Sequence, residues 1–164
     1  MQTHPIPPVC STDPACPPRI LILGSFPSVK SRETAFFYGH PQNRFWRVVA
    51  DVLDEPTPAT VSEKIALLTS HGIALWDVVT ACEITGSADS SIRSVTPTDL
   101  TPILQGGTVR AVFTNGATAT RLYQKHQQPI TGIPPIPLPS TSPANASCTL
   151  SDLIIAWSAI RAYL

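Results

Sequence analysis

Four short apolar runs punctuate the chain, and each ends in turn chemistry. Ile20-Leu21-Ile22-Leu23 stops at Gly24, and Ile73-Ala74-Leu75-Trp76 stops near Asp77. Val109 to Phe113 ends just before Asn115-Gly116, and Ile136 and Leu138 lead into Pro139-Ser140. Runs this brief are too short for helices and suit strands covered on both faces. Helical spacing fills the intervals. Phe45, Val48, Val49, Val52 and Leu53 make one apolar stripe. Thr60 with Glu63 predicts a capping box ahead of Ile65, Leu67 and Leu68, with Gly72 as the stop. Gly116 to His126 is a third helical stretch. Thr149 caps a fourth, in which Leu153, Ile154, Trp157, Ile160 and Ala162 face inward. Alternation of this kind predicts an α/β fold: a short, mainly parallel four-stranded central sheet with helices on both faces. No internal repeat is present.

Composition narrows the class. The chain has 164 residues, 43% of them hydrophobic and 13% charged, about half the usual charged share of ~25%. That argues against a disordered or coiled-coil chain. The longest apolar candidate, Leu150 to Leu164, is broken by Ser151, Asp152, Ser158 and Arg161, so no membrane partner is expected. The first residues, MQTHPIPPVCSTDPACPP, lack both the basic start and the apolar stretch of a secretory signal. The expected location is therefore cytoplasmic, in an intracellular protein. Proline is abundant, 18 residues against the usual ~5%. Residues 1–18 read as a flexible Pro-rich arm and 19–164 as a single domain. Cys10, Cys16, Cys82 and Cys148 include no CxxC pair, and the four histidines are scattered. Free thiols, no metal site and no cofactor are expected.

Charge totals zero but is unevenly spread. Residues 19–49 hold five cations against one acid, 51–99 hold eight acids against two cations, and 100–164 hold four cations against one acid. A polyanionic partner is open to this chain wherever the two positive segments meet.

Ligands of open parallel sheets bind beyond the carboxyl ends of the strands. Here those ends carry Gly24-Ser25-Phe26-Pro27-Ser28, Asn115-Gly116, and Pro139-Ser140-Thr141-Ser142-Pro143-Ala144-Asn145. All are small, polar and free of acids. The first loop is neither GxGxxG nor a P-loop, and Pro27 stands where a nucleophile elbow would start its helix.

Taken with Tyr38-x-His40-Pro41-x-Asn43-x-Phe45-Trp46, Leu75-Trp76-Asp77-Val78 and Gly86-Ser87-x-Asp89-Ser90-x-Ile92, these loops resemble the uracil-DNA glycosylase superfamily, most of all its hypoxanthine-DNA glycosylase (DNA-deoxyinosine glycosylase) branch. The resemblance runs from about Arg19 to the C-terminus. It implies a three-layer α/β/α sandwich that hydrolyses the bond between deoxyribose and a deaminated base in double-stranded DNA. Mismatch-specific relatives carry an asparagine in the first loop, where this chain has Ser25-Phe26. The hypoxanthine branch is thought to use the asparagine of the PxN motif, here Asn43. Mismatched uracil as substrate, and a nucleic-acid-binding module that has lost catalysis, are the alternatives.

The chemistry supplies roles for the remaining residues. A flipped base needs stacking faces and polar contacts to its edge. Gly24, Ser25, Phe26, Tyr38, His40 and Asn115 are the candidates, Asn115 because its amide both donates and accepts. Asn43 could aim water through its side-chain carbonyl, or it could simply cap the helix that follows. Pro27, Ser28, Lys30, Arg44, Ser140, Thr141 and Ser142 are candidates for phosphate and backbone contacts. Pro143, Ala144 and Asn145 would form a wedge entering the duplex. Asp77 and Asp89 could orient neighbouring groups. A monomer acting alone is expected, without lyase chemistry, since the chain has only Lys30, Lys64 and Lys125.

Overall fold

In the computed structural model, which describes residues 1–164, the four apolar runs are strands β2 (Ile20–Gly24), β3 (Ile73–Asp77), β6 (Ala111–Asn115) and β7 (Pro135–Leu138). They form one parallel sheet in the order β3-β2-β6-β7. The sheet's two faces divide the core. Ile20, Ile22, Leu75 and Phe113 point to one side, Leu21, Leu23, Ala74 and Val112 to the other. The first face is covered by α2 (Phe45–Val52), α3 (Val61–Ser70) and α7 (Leu150–Trp157). The second is covered by α5 (Ala117–His126), α4 (Thr101–Leu104) and part of a small antiparallel sheet. That sheet joins β1 (Gln2–Thr3), β4 (Val79–Glu83) and β5 (Arg93–Pro97). The α/β/α architecture and parallel sheet expected from the sequence are present. The antiparallel sheet and the short helices α1 (Val29–Thr34) and α6 (Gln128–Thr131) are additions to it.

Helix ends follow side-chain chemistry, with two departures. Thr149 accepts from the Asp152 backbone N–H while Asp152 accepts from Thr149, a complete capping box. Thr60 accepts from Glu63 N–H, but the Glu63 carboxylate reaches past it to Ala59 N–H, so the expected reciprocal box is one-sided. Beyond Trp157 the chain tightens into a 3₁₀ segment, Ser158–Tyr163. The change of period turns Ala162 outward, against the inward placement a continued α-helix predicts, while Ile160 stays buried.

The N-terminal residues also depart from expectation. Proline does make residues 1–9 extended, yet they are not a free arm. Gln2 and Thr3 pair with Cys82 and Ala81, and Val9 exchanges two backbone hydrogen bonds with Leu75. Ile6 and Val9 are 2% and 4% exposed. The segment lies along β3, the edge of the parallel sheet, where prolines cost no ladder bonds and an exposed edge gains a cover. Burial of two aliphatic side chains there contributes about 3–6 kcal/mol before chain entropy is subtracted.

Candidate functional site

A cavity of about 370 Å³ opens at the carboxyl ends of the parallel strands. That volume lies in the usual range for small-ligand sites. Its walls are Gly24 to Ser28, Phe37, Tyr38, His40, Asn43, Asp77, Ser87, Asp89, Asn115 and Ser140 to Ala144, together with Ser31. Every strand of the parallel sheet ends at this cavity or in a loop that reaches it. Among the residues singled out from sequence, Lys30, Arg44 and Asn145 do not line it.

Asn115 ends β6 and is bound to the loop after β7. Its Nδ2 donates to Thr141 Oγ at 3.0 Å, and its Oδ1 accepts from Thr141 N–H at 3.0 Å. Thr141, fully buried, donates its hydroxyl proton to Asn43 Oδ1 at 3.0 Å. Asn43 Oδ1 also accepts from Phe45 N–H at 2.9 Å. That backbone donor fixes which side of the amide is oxygen. The helix-cap role and the site role therefore coexist in one side chain. Both lone pairs of the Asn43 carbonyl are taken up within the protein. Its Nδ2 donates to nothing in the protein and is the free polar group of this residue.

Arg44 is likewise used internally. Its guanidinium donates to the carbonyls of Cys148, Ser142 and Asn145, while the Asn145 amide donates to Ser140 O at 3.0 Å. The expected phosphate contact of Arg44 is replaced by three carbonyl contacts, because the loop after β7 turns its C=O groups toward α2. Pro143 and Ala144 remain exposed at the tip of that loop, and Lys30 is exposed on α1. His40 is exposed at the mouth, its Nδ1 accepting from Gln42 N–H at 3.1 Å.

The opposite wall carries acids. Asp77, at the end of β3, is 3% exposed. Its Oδ2 lies 2.7 Å from His4 Nε2. Asp89 sits in a 3₁₀ turn, Asp89–Ser91, where the residue as a whole is exposed while its carboxyl turns inward and accepts from Ser25 Oγ at 2.8 Å. Burial of the Asp89 carboxyl raises its pKa above the ordinary value of 3.8; the Ser25 bond opposes this and the negative charge of Asp77 adds to it. Tyr38 stands between the walls with φ of 53°, its ring stacked on Phe45 at 4.2 Å. Its buried hydroxyl makes no well-formed hydrogen bond, although the Asn115 amide lies near enough to oppose part of the rise in its pKa. Burial, then the charge of Asp77, pushes that phenol's pKa well up, so it stays a donor. An unpaired buried hydroxyl costs about 1–3 kcal/mol and marks a place for a polar ligand atom. Gly24 makes the approach possible: a Cβ there would meet Tyr38 Oη at 2.8 Å and the Asp77 carboxylate even more closely.

Sequence reading missed His4 entirely and left Asp89 without a partner. The signal for His4 was the pair Ile6 and Val9, spaced as buried residues among prolines. No group of three or more His, Cys, Asp or Glu side chains converges as a metal site.

Comparison with known proteins bears on the fold and the family. The model of the uracil DNA glycosylase superfamily matches residues 11–160. Two proteins named hypoxanthine DNA glycosylase, from Methanosarcina acetivorans and Methanosarcina barkeri, are 43% and 36% identical over 74 and 75 residues. These matches cover 44% and 45% of this chain and 47% and 48% of the relatives, so the chain spans about half the length of the curated relatives it matches. A solution NMR structure from Methanosarcina acetivorans, assigned provisionally as a uracil DNA glycosylase, superposes with a TM-score of 0.77 at 29% identity, covering 98% of this chain and 99% of that one. With a family match over nearly its whole length and a likeness of fold end to end, the chain belongs to the uracil DNA glycosylase superfamily.

Proposed function

We propose that this chain is a DNA glycosylase that removes a deaminated base, chiefly hypoxanthine, from double-stranded DNA. The observation that carries the reading is the cavity itself. It brings one free amide donor, one buried phenol donor and two carboxylates together at the mouth of a parallel sheet. The names of the two curated relatives favour hypoxanthine over uracil.

In this reading the base leaves the duplex and enters between Phe26 and Tyr38, while the sugar stays at the mouth. As the glycosidic bond breaks, its electron pair moves to the base and positive charge grows on the sugar. Asn43 Nδ2 and Tyr38 Oη are donors for the base anion. Asp89 faces the sugar, offsets its charge and accepts the proton of the attacking water. Its raised pKa suits that work: excision falls as pH drops through the value at which Asp89 is protonated. Ser140, Thr141 and Ser142 offer backbone and hydroxyl contacts to the DNA strand, and Pro143-Ala144 form the wedge. Lys30 contributes a surface charge. No lysine lines the cavity, so the abasic site is left intact. The working form is taken to be a monomer on intracellular DNA, without a cofactor; no helix is long and apolar enough to cross a membrane.

Labelled duplexes containing hypoxanthine, uracil or no lesion, treated with the protein and then alkali, test the proposal. Hypoxanthine strands should be cut only after alkali, and borohydride should trap no protein–DNA adduct. Removal of uracil opposite guanine ten times faster than hypoxanthine, a reversal of ~1.4 kcal/mol, would reassign the substrate. Cleavage of no duplex at all would leave a binding module instead.

A further inference from the structure

The N-terminal segment delivers a buried histidine to the floor of the cavity, and the base-excision reading does not by itself require it. The His4 side chain is 2% exposed and that of Asp77 5%. His4 Nδ1 accepts from Ile6 N–H at 3.1 Å. The ring proton is therefore on Nε2, which donates to Asp77 Oδ2 at 2.7 Å. The ring is held edge-on to Phe26 and Trp76, with centroids 5.9 and 6.4 Å apart. Backbone contacts pin the segment on both sides of it: His4 N–H to Thr80 O at 2.6 Å, Trp76 Nε1 to Ile6 O at 3.2 Å, and the paired bonds of Val9 with Leu75. So much anchoring of one ring serves its one polar contact outside the N-terminal segment, the aspartate.

The other Asp77 oxygen is free. Oδ1 takes no hydrogen bond from the protein and lies beside Gly24, on the cavity side of the residue. A carboxylate oxygen in such a place only accepts. Deamination changes a base in the one respect that such an acceptor senses. Adenine N1 and cytosine N3 carry bare lone pairs, whereas the hypoxanthine and uracil that replace them carry N–H at those atoms. A lone pair facing a carboxylate is repelled, and an N–H facing it makes a charge-assisted bond.

We propose that His4 is a positioning residue of the base pocket: it holds the Asp77 carboxylate with Oδ1 turned into the cavity, where that oxygen accepts the ring N–H that deamination creates. The inference rests on the glycosylase reading and names how the same pocket distinguishes a deaminated base from its parent. The groups facing Asp77 are His4 from the N-terminal segment, Tyr38 from the loop before α2 and Asp89 from the turn after β4. His4 alone of these donates to it in the structure.

The test compares wild type, His4→Ala and His4→Gln in single-turnover excision of hypoxanthine at neutral pH. Glutamine can present an N–H near the position of Nε2. Without any donor on Oδ2, nothing fixes the rotation of the carboxylate, and Oδ1 is no longer held toward the cavity. His4→Ala should be at least tenfold slower, and His4→Gln should return to within threefold of wild type. A His4→Ala enzyme slowed to the same extent but not rescued by glutamine would make His4 a packing residue and overturn the proposal. So would a His4→Ala enzyme within twofold of wild type. A wild-type protein that excises nothing refutes the glycosylase reading rather than the clamp. The clamp is then read directly by ¹⁵N NMR of the wild-type histidine, which should show the proton on Nε2 at neutral pH. A proton on Nδ1 would overturn it even if His4→Ala fails to fold.

Discussion

The two walls of the cavity solve opposite problems. On the β6–β7 side, Asn115, Thr141 and Asn43 form a closed run of hydrogen bonds that carries no formal charge and leaves one amide N–H group free. On the β2–β3 side, Asp77 and Asp89 bring two carboxylates, each held by a single donor, His4 or Ser25. Breaking an N-glycosidic bond creates negative charge on the base and positive charge on the sugar. The neutral wall of donors suits the base anion and Asp89 suits the sugar cation without either moving, which is the cheapest form of transition-state stabilisation, while Asp77 faces the base and reads its ring N–H. The lesson is that donors and acceptors need not come from one motif; each wall is built by different strands and supported from different helices.

The largest effect should come from breaking the donor wall at its free end. Asn43→Ala removes both the cap and Nδ2, and single-turnover excision should fall about 10²–10³-fold, the scale for losing one positioned polar group. Duplex affinity, measured by fluorescence anisotropy, should stay near that of wild type. Next is the support behind that wall. Arg44→Ala frees three carbonyls of the loop after β7 and should cost about 3 kcal/mol in urea unfolding. If Arg44 were instead an exposed phosphate contact, DNA affinity would fall and stability would not.

The acid wall behaves differently. Asp89→Asn should slow excision about tenfold at neutral pH by removing the acceptor for water, yet it should raise the melting temperature there slightly, solvent screening keeping the gain small at this exposed residue. The sign follows from the raised folded-state pKa: ionisation at neutral pH works against the fold, and this penalty vanishes once pH falls below the ordinary carboxyl value of 3.8. The melting-temperature gain should therefore shrink toward pH 4. A lower melting temperature at pH 7 would show that the Ser25 bond outweighs burial. The smallest effect serves as a reference outside both walls. Thr149→Ala opens the capping box of α7 and should cost about 1 kcal/mol while excision per folded molecule stays unchanged.

The neutral wall was legible in the sequence because its residues stand at strand ends in short polar loops, where position alone predicts convergence. Asn43, Asn115 and Thr141 were each singled out. What the sequence hid was their mutual bonding, which decides that Asn43 acts through nitrogen rather than oxygen. The acid wall was less legible. Asp89 meets Ser25 across 64 positions, and His4 meets Asp77 across 73. Contacts so distant leave no periodic trace. Proline misled at the N-terminus because an extended backbone is compatible both with a loose arm and with a strap laid along a sheet edge. Arg44 misled for a related reason: a cation in a polar loop region reads as surface until its carbonyl partners are placed.

The most direct test of the account exploits the two ends of one side chain. Asn43→Asp preserves an oxygen for Phe45 N–H and Thr141 Oγ but replaces the only free donor, Nδ2, with a second oxygen. Its thermal stability and its single-turnover excision of hypoxanthine should be measured together at neutral pH. A melting temperature close to wild type and an excision rate as low as that of Asn43→Ala are expected. An Asn43→Asp protein that excises within threefold of wild type would contradict this, and would reduce Asn43 to the cap of α2.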